Sequence, residues 1–261
     1  MSKQSEMKKE MAAKLNEKSH IKKVIGVVSG KGGVGKSTIS AMLANALKKR
    51  GLSVGVLDSD ITGPSIPKAY GIKGMADGSD DGVIPMLSKG GIKVMSLNLL
   101  VENETDPVVW RGPLIANTVK QFWTDVYWGD LDVLVIDMPP GTGDVALTVF
   151  QSLPVDGIVV VTSPQQLVTM IVEKAVKMAN KMDIDILGLV ENMSYFKCPD
   201  CGERLEIFGP SSVEKVSKEF SIDTFAQVPM DTLLSKACDD GNIEDIDTSC
   251  LNNIVEKIIN K

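Results

Sequence analysis

The sequence is poor in histidine, cysteine and aromatic residues, and it carries no excess of basic charge. Its 261 residues include one histidine and four cysteines, and aromatic residues make up 5% of the chain. Four cysteines in a chain of this length do not form the disulfide framework of a small secreted protein. The net charge of −6 argues against a general nucleic-acid-binding protein, whose surface would be basic.

Long apolar segments are also missing. No apolar run reaches the length of about 20 residues that a membrane-spanning helix needs, and residues 1–6 contain no apolar core of a signal peptide. The sequence therefore predicts a cytoplasmic protein with reduced thiols and no membrane partner. Because 43% of the residues are hydrophobic, the chain has enough apolar side chains to bury one sizeable core.

Short runs rich in Val, Ile and Leu alternate with helical patterns, which predicts an α/β fold with a mostly parallel sheet and helices on both faces. The predicted strands cover residues 24–28, 52–58, 92–97, 131–137, 157–162, 184–190 and 222–228. The predicted helices cover residues 39–49, 112–128, 165–181, 213–220, 230–238 and 251–259. Residues 71–91, rich in Gly and Asp, predict a surface excursion with a short hairpin. We expect residues 24–261 to form a single domain and the lysine-rich residues 1–23 to form a solvated tail.

The most informative segment is a glycine-rich loop between the first predicted strand and the first predicted helix. It consists of Gly30, Lys31, Gly32, Gly33, Val34, Gly35, Lys36, Ser37 and Thr38. Strand, glycine loop and helix together are the context in which GxxxxGK[ST] predicts a phosphate-binding loop. Glycines let backbone N–H groups approach phosphate oxygens, and the helix N-terminus favours negative charge. We therefore expect a P-loop NTPase that binds ATP, with Lys36 reaching the β- and γ-phosphates and Ser37 ligating Mg²⁺.

A second lysine, Lys31, follows the first glycine of this loop. The KGGVGKST form resembles the deviant phosphate-binding loop of the MinD, ParA and nitrogenase iron protein group. This resemblance implies a homodimer that sandwiches two nucleotides, in which Lys31 crosses to the partner's nucleotide and stabilises charge on the transferred phosphoryl group. Taken alone, the residue is also compatible with a solvated loop lysine.

Acidic residues follow two of the predicted strands at their carboxyl ends. Asp58 ends the second predicted strand and Asp60 lies two residues beyond it, and Asp137 ends the strand predicted over residues 131–137. A carboxylate beside a glycine loop can hold a Mg²⁺-bound water, and we assign this role to Asp137. We assign the orientation of the attacking water to Asp60 and support of the metal to Asp58. The residues alone do not decide which aspartate performs which role, and a single aspartate at a strand end is also a common turn residue.

Two further regions complete the predicted nucleotide site. A loop with Gly141 and Gly143 after a double proline fits either a sensor of the γ-phosphate or a rigid turn. Asn192 follows a predicted strand, and its amide has both the donor and the acceptor that pair with adenine, although an asparagine there is equally a turn former. Pro229 and Asp231 resemble the loop that covers adenine in related ATPases.

The only CxxC motif is formed by Cys198 and Cys201. Two thiolates at this spacing can face one metal, but tetrahedral zinc and a four-iron cluster both need about four ligands. Cys238 and Cys250 are unpaired in spacing and are predicted to be small buried residues, and the sole histidine, His20, lies in the predicted tail. A two-fold homodimer supplies four thiolates on its axis. This favours an iron–sulfur cluster, with structural zinc, a redox pair and an inert pair as alternatives.

Several motifs in order carry a family resemblance: KGGVGKST, DSDITGPSIP, WRGP at residues 110–113, DMPPGTGD and ENMSYFKCPDCG. Over roughly residues 22–240, the chain resembles the Mrp/ApbC group of iron–sulfur cluster carrier ATPases. The resemblance implies a homodimer with a bridging 4Fe-4S cluster on Cys198 and Cys201, an involvement of ATP, and transfer of the cluster to apo-proteins. Arg111 lies in one of these motifs, and the sequence assigns no role to it.

The main alternative is a positioning ATPase of the MinD/ParA type with structural zinc at the CxxC motif. It shares Lys31, Lys36 and Asp60 but does not predict CPDCG. A membrane-targeting member would end in a basic amphipathic helix, whereas the C-terminal apolar stripe has few basic residues on its polar face. An electron-transferring ATPase like the nitrogenase iron protein has cluster cysteines far apart in sequence, unlike the pair here.

Overall fold

The strands are formed by the apolar runs that the sequence predicts, with several short strands in addition. The computed structural model describes residues 13–60, 65–100, 112–141, 144–164 and 168–261. Within these ranges the strands are β1 (His20–Ser29), β2 (Val54–Asp58), β3 (Gly78–Ser79), β4 (Gly82–Val83), β5 (Met86–Leu87), β6 (Lys93–Ser96), β7 (Asp130–Asp137), β8 (Gly157–Thr162), β9 (Asp185–Glu191), β10 (Phe196–Lys197), β11 (Arg204–Leu205) and β12 (Phe225–Gln227).

Eight of these strands form one sheet in the order β12-β9-β8-β1-β7-β2-β6-β5. Neighbouring strands run parallel, except that β5 pairs antiparallel with β6. Strands β2 and β8 are buried along their whole length, as expected for a parallel sheet that is covered on both faces. The predicted mostly parallel sheet is confirmed, and β3 and β4 form the short hairpin predicted within residues 71–91.

Helices cover both faces of the sheet. Within the described ranges they are α1 (Lys36–Lys49), α2 (Ile66–Ala69), α3 (Gly112–Thr124), α4 (Asp144–Ser152), α5 (Val168–Met182), α6 (Val213–Glu219), α7 (Thr232–Asp240) and α8 (Asn252–Ile259). One apolar core lies between the sheet and α3, α4, α5 and α6, and it includes Phe122, Phe150 and Val172. The other lies between the sheet and α1, α2, α7 and α8, and it includes Leu43 and Ile254.

The first strand begins earlier than predicted. Strand β1 starts at His20, so the last four residues of the predicted tail belong to the sheet. The lysines that made this segment resemble a tail have specific partners: Lys22 forms an ion pair with Asp132 at 2.7 Å, and Lys23 donates to the carbonyls at the end of α8. The described residues before β1 also contact the domain, because the backbone carbonyl of Ala13 accepts a hydrogen bond from Trp123 Nε1 at 2.9 Å.

Other boundaries differ from the predictions for identifiable reasons. The helix predicted over residues 112–128 ends at Thr124, because the chain turns there and buries Trp128 completely, with its Nε1 donating to the carbonyl of Phe122 at 3.1 Å. Helices α2 and α4 were not predicted. Helix α2 has only four residues, whereas α4 carries an apolar spacing that would have identified it, with Ala146, Val149 and Phe150 all buried.

The strand order sets the location of the site. The glycine loop follows β1, and the ends of β7 and β2 carry Asp137 and Asp58. In the parallel register, Val27 of β1 pairs with Asp137, and Asp137 pairs with Asp58. The three carboxyl ends therefore lie side by side at the edge where open α/β sheets bind their ligands.

Candidate functional site

The phosphate-binding loop has the backbone geometry that its sequence predicts. Gly33 and Gly35 adopt positive φ angles of 80° and 78°, and α1 begins immediately afterwards at Lys36. At Gly35 a Cβ atom would lie 2.2 Å from the Asn192 amide nitrogen. Glycine is thus required at this position both for the left-handed backbone and for the close approach of Asn192.

Asp137 is the centre of a buried polar cluster at the start of α1. Its carboxylate accepts hydrogen bonds from Lys36 Nζ at 2.7 Å, Ser37 Oγ at 2.6 Å and Ser40 Oγ at 2.7 Å. Asp137 is fully buried and Lys36 is 6% exposed. The structure therefore brings together the residues predicted to bind phosphate and Mg²⁺. Ser40 was not predicted, because nothing in the sequence distinguishes it from an ordinary small helical residue.

Asp58 organises the loop that leads to Asp60. Its carboxylate accepts hydrogen bonds from the backbone N–H groups of Asp60 at 3.1 Å, Ser65 at 3.2 Å and Ile66 at 3.3 Å. Burial, together with the nearby charge of Asp137, raises the pKa of Asp58 to about 8. The charge of Asp137 disfavours the ionised form of Asp58, and the charge of Lys36 partly offsets this effect. The assignment of Asp58 to the metal and of Asp60 to the attacking water stays a prediction.

A cavity of about 610 Å³ opens beside the phosphate-binding loop. Gly35 and Thr38 of the loop segment line it, and so do the three residues predicted to contact adenine, Asn192, Pro229 and Asp231. The structure thus brings the predicted phosphate and base residues around one space of suitable size for a nucleotide.

Two of the predicted base contacts also have structural partners. The Asn192 side chain is buried and its amide donates to the carbonyl of Val34 at 2.9 Å, which ties strand β9 to the phosphate loop. Asp231 caps α7 by accepting from the backbone N–H of Leu233 at 2.7 Å. Their direct contact with adenine stays a prediction.

Several residues that line the cavity were not predicted. They are Met193, Phe196, Ile207, Met230, Thr232, Leu234, Ser235, Cys238 and Asp239. Cys238 Sγ lies 4.0 Å from Thr38 Oγ1, and Ile207 is far along the chain from the phosphate loop. Although Met193 and Phe196 belong to the ENMSYFKCPDCG motif, nothing in the sequence places these residues beside the phosphate loop, so only the fold reveals their position.

The CxxC motif lies in the turn of a two-stranded hairpin formed by β10 and β11. The Cys198 backbone N–H donates to Glu203 at 2.9 Å, and the Gly202 N–H donates to Cys198 at the same distance. Backbone N–H groups of Cys201 and Asp200 donate to the Cys198 sulfur and lower the pKa of its thiol. Cys198 is half-buried and Cys201 is exposed. The turn therefore favours a thiolate that is accessible from outside the chain.

The other two cysteines differ from this pair. Cys238 and Cys250 are half-buried, and burial raises the pKa of each thiol. All four cysteines are free. In the part of the chain that the structure describes, no group of three or more His, Cys, Asp and Glu side chains is arranged to hold a metal ion.

Lys31 is half-buried within the phosphate loop, and its backbone carbonyl accepts a hydrogen bond from Ser29 Oγ at 3.0 Å.

Arg111 and Gly143 lie outside the described residues. Gly141 has a positive φ of 89°, and its N–H donates to Ser29 at 2.9 Å, so this loop begins against the phosphate loop.

Among the helices that the structure describes, none is both long and apolar enough to cross a membrane.

Proteins of known description are similar to this chain over most of its length. A family model described as ParA: NUBPL iron-transfer P-loop NTPase matches residues 20–261. An iron-sulfur cluster carrier protein from Clostridium perfringens is 44% identical over 234 residues, which make up 87% of this chain and 82% of that protein. Another iron-sulfur cluster carrier protein, from Methanocaldococcus jannaschii, is 45% identical over 232 residues, or 88% of this chain and 80% of the relative.

Solved structures share the fold. A nucleotide-binding protein from Archaeoglobus fulgidus in complex with ADP is 44% identical, with a TM-score of 0.79 and coverage of 86% of this chain and 88% of that one. The MinD cell division protein of Aquifex aeolicus has a TM-score of 0.62 at 17% identity, covering 92% of this chain and 97% of its own, and it supports the fold alone. The resemblance to cluster carrier ATPases found in the sequence is confirmed. The chain belongs to the family of NUBPL-type iron-transfer P-loop NTPases.

Proposed function

We propose that this protein is an ATP-hydrolysing carrier that holds a 4Fe-4S cluster between two copies of the chain and transfers it to apo-proteins. The observation that carries the proposal is the CxxC hairpin, which presents Cys198 and Cys201 at the surface without a third ligand among the described residues. Relatives that are 44% and 45% identical are named iron-sulfur cluster carrier proteins, which supports the same cargo here.

The number of ligands supports a homodimer. A four-iron cluster is held by about four thiolates, and one chain offers two of them on this hairpin. A two-fold axis through the CxxC turn supplies the other two from an identical surface. The lowered pKa of Cys198 favours the thiolate that binds iron. The exposed position of Cys201 leaves the cargo within reach of a recipient protein.

The buried cluster at the start of α1 supports the nucleotide half of the proposal. Lys36 and the loop N–H groups bind the phosphates. Ser37 and Asp137 offer oxygen ligands that fit Mg²⁺, and the ion neutralises charge on the β- and γ-phosphates when bound. Asp60 orients a water whose oxygen bonds to the γ-phosphorus. The bond from this phosphorus to the bridging oxygen breaks, and the proton lost by the water ends on the phosphate product.

We also propose that residues 24–261, together with the start of β1, act as one ATPase domain, and that the protein works in the cytoplasm. The four cysteines are free, and a pair of free thiols that binds iron requires a reducing compartment. The recipients are apo iron–sulfur proteins, and neither nucleic acid nor a membrane takes part.

Metal and sulfide analysis of anaerobically reconstituted protein tests the proposal directly. We expect about four iron and four sulfide ions per two chains, with broad absorption near ~400 nm, and a solution mass of twice 28.1 kDa. Zinc in place of iron would support a structural site of the kind expected for a positioning ATPase. A cluster bound by a single chain of 28.1 kDa would contradict the shared site.

Changing Lys31 to alanine is expected to leave ADP affinity nearly unchanged while ATP hydrolysis falls by about 10²–10³-fold, the usual cost of losing one group that stabilises transition-state charge. Steady-state hydrolysis and calorimetric titration with ADP measure the two effects. Lys73→Ala, which removes an exposed lysine elsewhere on the surface, is the matched control and should change neither.

A mixture of two inactive variants tests whether Lys31 acts on the partner's nucleotide. In a mixed dimer of Lys31→Ala and Asp60→Ala chains, one site combines an intact Asp60 with the partner's intact lysine. Random pairing should then restore about a quarter of the wild-type rate. If the mixture stays as inactive as the separate variants, Lys31 acts within its own chain.

A further inference from the structure

The hairpin that carries the cysteines also lines the nucleotide cavity. Phe196, the first residue of β10, and Ile207, just beyond β11, both face the cavity that Gly35 and Asn192 line from the phosphate-loop side. Cys198 and Cys201 lie between these two apolar residues in the chain. The same short hairpin therefore presents its turn to the outside and its base to the nucleotide site.

The base of the hairpin is fixed to the segment that carries Pro229 and Asp231. The Met230 N–H donates to the carbonyl of Tyr195 at 2.7 Å, and Phe196 forms a parallel bridge with Met230. These backbone contacts hold Phe196 beside the residues predicted to cover adenine, so its position does not depend on a flexible side-chain contact.

A buried polar network also holds in place the residues that come just before the hairpin. Glu191, at the end of β9, accepts a hydrogen bond from Ser194 Oγ at 2.6 Å, and Gln227 Nε2 donates to the same hydroxyl at 2.9 Å. Asn192, between them, is bonded to the phosphate loop. The short segment from Asn192 to Phe196 therefore links the phosphate loop to the hairpin. Its first residue is bonded to the phosphate loop, and its last residue is paired with Met230.

Ile207 is the part of this wall with the most apolar surface available. It is 58% exposed although it lines the cavity. A flat apolar ring in the cavity would remove this surface from water. Gly35 and Thr38 of the phosphate-loop segment line the same cavity, so a nucleotide is the ligand class that the site favours. The base is the part of a nucleotide that supplies a flat apolar ring.

We propose that Ile207, together with Phe196, forms the apolar wall against which the adenine base of a bound nucleotide packs, so that the hairpin carrying Cys198 and Cys201 also contributes to nucleotide binding. The proposal rests on nucleotide binding, which belongs to the proposed function, but not on the iron–sulfur cluster. It names two base-contacting residues that lie outside the phosphate loop and outside the segment carrying Pro229.

Calorimetric titration of metal-free protein with ADP and, separately, with pyrophosphate tests the wall. We expect Ile207→Ser to weaken ADP binding by about 3- to 10-fold, the loss expected for part of one buried apolar side chain. Pyrophosphate affinity should stay unchanged, because this ligand has no base. Ile207→Leu, which keeps the apolar surface, should restore most of the ADP affinity.

Another exposed apolar residue of the same stretch provides a matched control. Phe208 is 51% exposed, and it is not among the described residues that line the cavity. Phe208→Ser should leave ADP affinity unchanged. An unaltered ADP affinity in Ile207→Ser, an equal loss in the control, or a parallel loss of pyrophosphate affinity would each overturn the proposal. Because no metal is present, these outcomes are independent of whether the protein carries iron.

Discussion

Cys198→Ala is expected to abolish cluster binding, reducing the iron retained after anaerobic reconstitution to less than about a tenth of the wild-type amount. In a shared site the substitution removes one sulfur from each chain, so that two of the four proposed ligands disappear together. Cys198 is also a thiol whose pKa the turn lowers, so its replacement removes a sulfur that favours the thiolate form. Iron and sulfide analysis with the visible absorption spectrum measures the loss.

Cys250→Ala is the control for this experiment. Cys250 is half-buried, burial raises the pKa of its thiol, and it does not line the nucleotide cavity. The Cys250→Ala protein should retain the full complement of iron. A Cys198→Ala protein that keeps its iron would show that sulfurs elsewhere hold the metal, and it would remove the central argument for the carrier function. Unchanged ADP affinity in the Cys198→Ala protein would show that the loss of iron binding is confined to the metal site.

The parts of the site that the sequence predicts are those fixed by local geometry. A glycine with positive φ, a lysine and a hydroxyl at fixed spacing are needed wherever a strand, a loop and a helix bind phosphate, so Gly35, Lys36 and Ser37 are recognisable without the fold. Asp58 and Asp137 are predictable for a related reason, because parallel strands place their carboxyl ends at one edge. The fold confirms this by pairing the two residues in register.

The parts that the sequence does not predict depend on contacts between distant segments. Ser40 reaches Asp137 at 2.7 Å only because α1 packs across the end of β7. Ile207 enters the nucleotide cavity because the hairpin folds back onto the segment around Met230. Neither Ser40 nor Ile207 can be found from a fixed spacing in the sequence, because their partners lie far away in the chain. The early start of β1 was missed for a different reason, because the partners of Lys22 and Lys23 become visible only in the folded chain.

The electrostatic state of the site is also a property of the fold. Two aspartates and one lysine are unremarkable in a sequence, but here they share one buried region, and burial with the charge of Asp137 raises the pKa of Asp58 to about 8. Lys36 is the nearby cation that offsets this repulsion. The same lysine is therefore expected to have two roles, since it stabilises the nucleotide-free site and binds phosphate when the nucleotide enters.

Lys36→Ala is accordingly expected to weaken ADP binding by about 10²-fold or more, because a charge-assisted contact to phosphate in a buried site contributes several kcal/mol. It should also destabilise the nucleotide-free protein, because removing one partner of a buried ion pair typically costs about 3–5 kcal/mol. Titration calorimetry measures the affinity, and denaturant unfolding without nucleotide measures the stability. Lys49→Ala, at the exposed end of α1, should change neither quantity appreciably.

A second substitution separates the two roles of the lysine. Adding Asp137→Asn to Lys36→Ala removes the negative charge that the first change leaves unpaired, so the double variant should be more stable than the single one. Its nucleotide affinity should stay low, because the phosphate-binding cation is still absent and a metal ligand has been weakened. Recovery of both properties would mean that Lys36→Ala acts only by unfolding the site. Wild-type ADP affinity in the single variant would show that Lys36 does not bind phosphate.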